Sequence, residues 1–303
     1  MKREKKNLFA CCIGLFLVSG TVAGQHSGEI RRAEDSLSRV FFALNHAGND
    51  SLRLALNRIF AAGLTKALEL PSAEDYPFDS MKSLVKIGSP DTKFRIFQWN
   101  LPMSGGSYRY FGFIRMTGTD PPVISALHDI SDSLPWPDTV ILGSPDWYGA
   151  LYYQIIPGKT SGGEDFYTLL GWSGRDPAIT HKLIDVLSFD PAGRPRFGMK
   201  IFSGYQNGNH ARIIYRYSAS ATMFLKYEKH TTQYKGRWNA EKRSFIMGSE
   251  EVMMIVSERL VPLEPEMEGM YQFYVPSGDL FDGFLLRNGV WVFKNDIDSR
   301  KNE

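Results

Sequence analysis

The sequence predicts an α+β fold that is mainly β. We expect an N-terminal helical hairpin packed on a mostly antiparallel, meandering sheet that is sandwich or barrel-like. Apolar residues recur every three or four positions over 29–69, and the period changes to two over 93–295. The connections between the later apolar runs are rich in Gly, Pro, Asn and Asp and are too short for parallel crossovers.

Two helices account for the first period. The apolar face of the first begins at Ile30, and residues 46–50 have the composition of a turn. Asp50 or Ser51 is expected to cap the second helix, which Pro71 ends. Because each helix has a single apolar stripe, the pair should pack on the sheet that follows.

Strands are predicted in chain order at 93–101, 108–116, 139–143, 149–156, 166–172, 182–189, 198–203, 211–227, 251–261, 270–275, 283–287 and 290–294. Asn288-Gly289 joins the last two and is typical of a tight hairpin. The segment 124–133 is compatible with a helix. No long Gly/Ser or Pro linker divides the chain, so one domain is expected.

The first 24 residues have the three parts of a cleavable signal peptide. A basic start precedes an apolar run of 11 residues, Leu8 to Val18, which is too short to cross a bilayer, and small residues follow at Thr21 and Ala23. We therefore expect 25–303 to be a single exported domain, periplasmic or extracellular. No transmembrane segment is expected after signal removal. An uncleaved N-terminal anchor is the alternative.

The signal segment also carries both cysteines and the positive charge. Cys11 and Cys12 lie inside it, so the exported chain would have no thiol and no disulfide, which is more typical of a bacterium than of an animal secretory pathway. Residues 1–24 hold four of the 35 basic and one of the 33 acidic residues, and the remaining chain has a formal net charge of −1. Nothing in that balance points to a nucleic-acid partner.

No motif for cofactor or metal chemistry is present. The sequence has no His-Glu-x-x-His, no phosphate-binding Gly-rich loop and no Gly-x-Ser-x-Gly elbow, so neither a cofactor nor a metal is expected. Residues 279–283 and 295–298 are rich in oxygen ligands but match no full calcium loop. Carboxylates at strand ends or turns are candidates for acid–base work: Asp146, Asp165, Asp176, Asp185, Asp279 and Asp282.

Aromatic side chains, 13% of the residues, supply the candidate ligand contacts. Trp147 and Trp172 each lie beside turn residues. Tyr153 follows Tyr152 in a predicted strand, so the two rings must point to opposite faces and one of them leaves the core. Rings of this kind stack on sugars or line apolar pockets; the alternative is that they fill the core of a large β-domain.

Two titratable residues complete the candidate ligand site, and no catalytic residue is assigned. Asp185 lies between Ile184 and Val186 in a predicted strand, so it either pairs with an arginine or lysine or faces a cleft. His181, like His210, flanks a predicted strand and could meet other polar groups in space.

The chain contains several short motifs in a fixed order: FQWN at 97–100, WYGALYY at 147–153, YTLLGW at 167–172, IDVL at 184–187, IIYRYS at 213–218, and DG at 282–283 with VWV at 290–292. As an ordered set over about 90–295, the chain resembles a group of exported β-rich proteins of Bacteroidetes-type bacteria. The resemblance implies export and a β-rich fold. Since no activity is established for that group, it transfers no site residue.

Three functions remain open on these observations. The first is a non-catalytic exported protein of the bacterial cell envelope that binds a glycan, a peptide or an envelope protein. The second is a secreted hydrolase acting on glycans or esters through carboxylates or a histidine that the fold brings together. The third is a structural envelope component, for which an uncovered apolar stripe on the helical hairpin would be the docking surface.

Overall fold

A computed structural model describes residues 19–206, 208–239 and 244–297, and the fold is α+β and mainly β, as expected. The helices and strands are, in chain order, α1 (Ser19–Asn45), α2 (Asp50–Glu69), β1 (Val85–Gly88), β2 (Phe94–Pro102), β3 (Tyr108–Met116), β4 (Ile124–Asp129), β5 (Leu142–Gly143), β6 (Asp146–Trp147), β7 (Leu151–Lys159), β8 (Asp165–Ser173), β9 (Ile179–Phe189), β10 (Pro195–Phe197), β11 (Phe202–Ser203), β12 (Ile213–Ser218), β13 (Leu225–Asn239), β14 (Ser244–Pro262), β15 (Tyr274–Arg287) and β16 (Val290–Ile297).

The strands form three sheets. The first has the order β1-β2-β3-β4-β6, and the second has the order β5-β10-β9-β8-β7 with β12 also paired to β9. The third has the order β11-β16-β15-β14-β13. The neighbouring strands are antiparallel apart from two short parallel pairs, β4 with β6 and β11 with β16. Within the described ranges no sheet closes on itself, so the sheets are stacked and the barrel alternative is not realised.

The helical hairpin and the three sheets stack as four layers, with a hydrophobic core in each of the three gaps. β2 contributes to two of them because its side chains alternate between its faces. Trp99 packs with Phe60 under the helices, whereas Ile96 faces the core between the first and second sheets. Ile184 and Trp291 lie in the core between the second and third sheets.

The helical hairpin predicted at 29–69 is confirmed, with a different cap. Asn49, not Asp50 or Ser51, caps α2: its backbone is extended and its side chain accepts from the Leu52 N–H at 2.9 Å. Asp50 instead accepts from the backbone N–H of Ser104. Most of the predicted signal segment lies outside the described residues, so its cleavage stays a prediction. No described helix is long and apolar enough to cross a membrane.

The strand region differs from expectation in several places, among them the strands predicted at 270–275 and 283–287, which form a 3-10 turn and the single strand β15. β1 was not predicted, because four residues are too few to show a period of two. The segment 124–133 begins as β4 and is not a helix: β3 and β6 pair with its two edges, and tertiary pairing overrides local preference. The single strand predicted at 211–227 is divided between β12 and β13. The hairpin at Asn288-Gly289 is confirmed, with φ of +50° and +80° at its two turn residues.

A buried glutamine joins the first sheet to the second. The side chain of Gln98 accepts from the Tyr152 N–H at 2.9 Å and donates to the Tyr152 carbonyl at 2.6 Å, with no exposure to solvent. β7 is the edge strand of the second sheet, so these backbone groups have no strand neighbour on that side. Gln154 makes the equivalent link to the third sheet, bonding both backbone groups of Tyr227 at 3.3 and 3.5 Å.

Gln98→Leu is therefore expected to lower the free energy of unfolding by about 2–5 kcal/mol, because two buried backbone groups would lose their partners. Urea unfolding of the protein measures this. Gln154→Leu is the matched control: its bonds are longer and its side chain is partly exposed, so a loss of about 1 kcal/mol is expected. Equal losses of stability in the two variants would show that the bonds from Gln98 to Tyr152 stabilise the fold no more than those from Gln154 to Tyr227.

Candidate functional site

Two of the predicted ligand contacts lie in a buried polar chain between the first and second sheets. The Trp147 indole N–H donates to the Tyr152 hydroxyl at 3.0 Å, and that hydroxyl donates to Asp185 Oδ2 at 3.0 Å. Arg212 Nε donates to Asp185 Oδ1 at 3.1 Å. The side chains of Asp185 and Arg212 have no exposure. Of its two alternatives, Asp185 thus forms the ion pair and does not face a cleft.

Arg212 gives this row of hydrogen-bonded side chains a structural role. Its guanidinium also donates to the carbonyls of Pro137, Val140 and Phe197, so it fastens the segment before β5 and the end of β10 to the core. Burial, and then the charge of Asp185, raises the pKa of Tyr152 well above its usual value, so this phenol stays a donor. The two charged groups of this polar chain, Asp185 and Arg212, are paired with each other.

His181 lies in a separate cluster. Its Nδ1 and the Tyr148 hydroxyl are 3.0 Å apart, and the Arg175 guanidinium lies 4.5 Å from the centroid of the Tyr148 ring. Burial lowers the pKa of His181 to about 3, and the positive charges of Arg175 and Arg216 add to the effect. The imidazole is therefore neutral near pH 7 and does not act as a proton shuttle there.

The other two predicted contacts are nearer to solvent. Trp172 is partly buried and meets Tyr108 edge to face at 5.8 Å between centroids. Tyr153 is 41% exposed and donates from its hydroxyl to the Leu225 carbonyl at 2.9 Å. Tyr153 borders an open groove. The structure therefore does not bring the five together in one site.

A cavity of about 420 Å³ opens beside β12, between the second and third sheets. We call it the interlayer cavity. Aromatic rings from five positions line it, namely Tyr205, Tyr215, Tyr271, Tyr274 and Phe293. None of the five predicted ligand contacts lines it, although His210 and Asp282, which the sequence had also singled out, both do.

The rings reach the interlayer cavity from different elements. Tyr215 projects from β12 and accepts from the Ser257 hydroxyl at 3.2 Å, while Phe293 projects from β16 and lies 5.0 Å from the ring of Tyr205. Tyr271 and Tyr274 stand 5.4 Å apart where a short 3-10 turn enters β15. Burial raises the pKa of Tyr205 to about 12, so its hydroxyl is protonated at neutral pH.

Two arginine–carboxylate pairs add polar groups to the same walls. Arg216 donates to Asp138 at 2.8 Å, and its guanidinium lies 5.7 Å from the ring centroid of Tyr271. Arg259 donates from Nε to Asp282 at 2.9 Å. These pairs offer donors and acceptors whose charges largely cancel.

Two further polar groups line the interlayer cavity. Glu258 Oε2 accepts from the Phe224 backbone N–H at 2.7 Å. His210 stacks edge to face on Tyr205 at 5.4 Å, and its Nδ1 is buried with no hydrogen-bond partner among the described residues. Buried polar atoms are normally paired, so the unpaired Nδ1 of His210 is an unusual polar group in this wall.

The structure offers no metal centre in its described parts. No group of three or more His, Cys, Asp or Glu side chains there is arranged to hold an ion. Asp282 and Asp296, the nearest approach to a calcium site in the sequence, both accept from Arg259. A guanidinium therefore takes the place that a cation would need.

The helical hairpin exposes some apolar surface. Phe42, Leu52 and Ile59 are 66%, 48% and 59% exposed on its outer side. Single exposed apolar residues are common on folded proteins, and nothing in the structure shows a partner for these. They do not distinguish a structural envelope component from the other functions.

Comparison of the chain with protein-family profiles, with curated proteins and with solved structures gave no match in any of the three.

Proposed function

We propose that the chain is a non-catalytic, exported ligand-binding protein of the bacterial cell envelope, and that its ligand is a neutral, hydroxyl-rich molecule such as a glycan. The observation that carries the proposal is the interlayer cavity, in which five aromatic rings and two arginine–carboxylate pairs converge. Its volume lies within the range of about 300–1,000 Å³ that is typical of small-molecule sites.

The mixed walls suit a sugar ring. A sugar has apolar C–H faces and hydroxyl groups around its edge, so it needs aromatic faces together with donors and acceptors. The tyrosine rings supply the aromatic faces. The side chains of Arg216, Asp138 and His210 supply the donors and acceptors. The lining holds two arginines and three carboxylates, so an anionic ligand is disfavoured, and the aromatic rings suit a neutral one.

The hydrolase alternative has less support in this cavity. Acid–base hydrolysis needs a carboxyl or imidazole positioned to exchange a proton with the substrate. Asp138 and Asp282 are each held by a guanidinium, and Glu258 is held by a backbone N–H. Carboxylates already held by donors within the protein are better suited to fixing a ligand than to transferring a proton.

Export is supported by the sequence. The basic start, short apolar run and small residues of 1–24 are those of a signal peptide, and the rest of the chain is nearly neutral. We accordingly place the binding function in the periplasm or outside the cell. Fractionation of cells that produce the full chain, followed by N-terminal sequencing of the product, tests this part of the proposal.

Tyr271→Ala is expected to weaken glycan binding about tenfold, because an aromatic contact of this kind contributes roughly 1 kcal/mol or more. Tyr271 is 39% exposed, so its loss leaves the cores intact. Isothermal titration with a panel of neutral disaccharides (maltose, cellobiose and diacetylchitobiose) measures the affinity. Phe42→Ala, which removes an exposed ring from α1, is the control and should bind as the wild type does.

Three results would contradict the proposal. Equal affinities for Tyr271→Ala and Phe42→Ala would place binding outside the interlayer cavity. Failure of every neutral glycan to bind would contradict the ligand class. Turnover of a bound glycan, detected by chromatography of the products, would contradict the non-catalytic assignment.

A further inference from the structure

A second concave surface lies where β7 meets the start of β13. It has a volume of about 590 Å³, and we call it the Tyr153 groove. Its mainly apolar walls are formed by Tyr153, Met223, Phe224 and Leu225, with two lysines described below. Glu258 borders both this groove and the interlayer cavity, but the two have no other lining residue in common.

Side chains, not strand pairing, hold the second and third sheets together beside this groove. The strand β7 has a bulge between Tyr152 and Gln154, and the Tyr153 hydroxyl donates to the Leu225 carbonyl. Gln154 occupies both backbone groups of Tyr227. The outward edge of β13 is therefore already satisfied, and a peptide strand could not add to it here.

Lys182 is the distinctive group of the groove. It projects from β9 toward the third sheet and is partly buried, with its ammonium 4.6 Å from the centroid of the Tyr153 ring. Among the described residues it has no ion pair, and burial alone lowers its pKa. Taking an ammonium group out of water without a counter-charge costs free energy, which a bound anion would recover.

A second lysine reinforces the charge of the groove. Lys226 places its ammonium 4.8 Å from the ring centroid of Phe224 and, in the described part of the chain, forms no ion pair. The one carboxylate at the border, Glu258, accepts from the Phe224 N–H. The groove thus combines two free cations with apolar walls.

From this juxtaposition we propose that the Tyr153 groove binds a fatty acid. Its carboxylate meets Lys182 and Lys226, and its alkyl chain lies along Phe224 beside the ring of Tyr153, over the core residues Met223 and Leu225. A carboxylate fits better than a phosphate because two lysines and Glu258 leave the groove with one net positive charge, which matches a monoanion better than a dianionic phosphate monoester. The apolar walls favour an alkyl chain over a small polar acid.

Isothermal titration of the exported domain with monomeric dodecanoate at pH 8 tests the proposal, with dodecanol and dodecyl phosphate as head-group comparisons. We expect dodecanoate to bind with 1:1 stoichiometry. Lys182→Met keeps the apolar volume of the side chain and should weaken binding at least about tenfold, since a hydrogen-bonded charge is lost. Lys200→Met, at an exposed lysine outside the groove, should leave it unchanged.

Several outcomes would overturn the proposal: no binding of dodecanoate, equal binding of dodecanol, tighter binding of dodecyl phosphate, or an affinity unchanged in Lys182→Met. If Lys182→Met does not fold, Lys226→Met provides the same comparison from the opposite wall. The inference does not depend on the glycan proposal, because Tyr271→Ala should bind dodecanoate as the wild type does. If Tyr271→Ala loses glycan binding and keeps dodecanoate binding, the two sites are independent, and the failure of one proposal can be told from the failure of the other.

Discussion

Arg212→Met is expected to lower the free energy of unfolding by about 3–5 kcal/mol, because it leaves the carboxylate of Asp185 buried without its counter-charge. Both side chains are completely inaccessible to solvent. The variant would also deprive the carbonyls of Val140 and Phe197 of their donor. Urea unfolding followed by circular dichroism measures the loss relative to the wild type.

A double variant separates the charge from the packing. In Asp185→Leu/Arg212→Met neither charge remains, so we expect much of the stability lost in Arg212→Met to return, as replacement of both members of a buried ion pair is often neutral or stabilising. The residual deficit would reflect the carbonyls that Arg212 binds and the Tyr152 hydroxyl that Asp185 accepts from. A double variant no more stable than Arg212→Met would show that the buried charge is not the cause.

The sequence predicted the features that depend on neighbouring residues. The two helices followed from apolar residues at steps of three and four, and the last hairpin followed from Asn288-Gly289, whose positive φ values match the turn. The change of period also predicted β2 and β3 within a residue of their ends. Each of these elements is determined by contacts within one helix or across one short turn.

Features that depend on distant residues were not predicted. The link from Gln98 to Tyr152 joins residues 54 positions apart, and nothing in the sequence around Gln98 marks it. Similarly, the apolar surroundings of Asp185 predicted that it needs a partner or a cleft, but Arg212 lies 27 positions away. The sequence therefore shows that Asp185 needs a partner, whereas only the fold shows that this partner is Arg212.

The candidate site shows the same limit. Trp147 was proposed as a ligand contact because it lies beside turn residues, yet β6 carries it into the core. Tyr271 and Tyr274 were placed in a predicted strand at 270–275, but Tyr271 lies in a 3-10 turn and Tyr274 begins β15, and both line the interlayer cavity. A run of aromatic residues without clear alternation was the available sign that this segment is not an ordinary strand.

Lowering the pH from 6.5 to 4.5 is expected to cost the protein about 2 kcal/mol of stability through His181. In the unfolded chain this histidine binds a proton near pH 6.5, whereas burial holds its folded pKa at about 3. Between these values the unfolded state carries the extra proton, so stability is complete above pH 6.5 and falls as the pH falls, at 1.36 kcal/mol per unit. The two arginines near it, Arg175 and Arg216, act in the same direction.

The variant His181→Gln isolates this contribution, because it keeps a polar side chain near Tyr148 and cannot bind the proton. Urea unfolding of both proteins between pH 7 and pH 4.5 should give profiles that converge as the pH falls, with the wild type losing stability more steeply. Carboxylates whose pKa values are lowered, such as Asp91 and Asp165, contribute mainly near and below pH 4 and are common to both proteins. Parallel profiles would mean that His181 takes up its proton in the folded protein, and that the cluster around Tyr148 opens to water instead of excluding it.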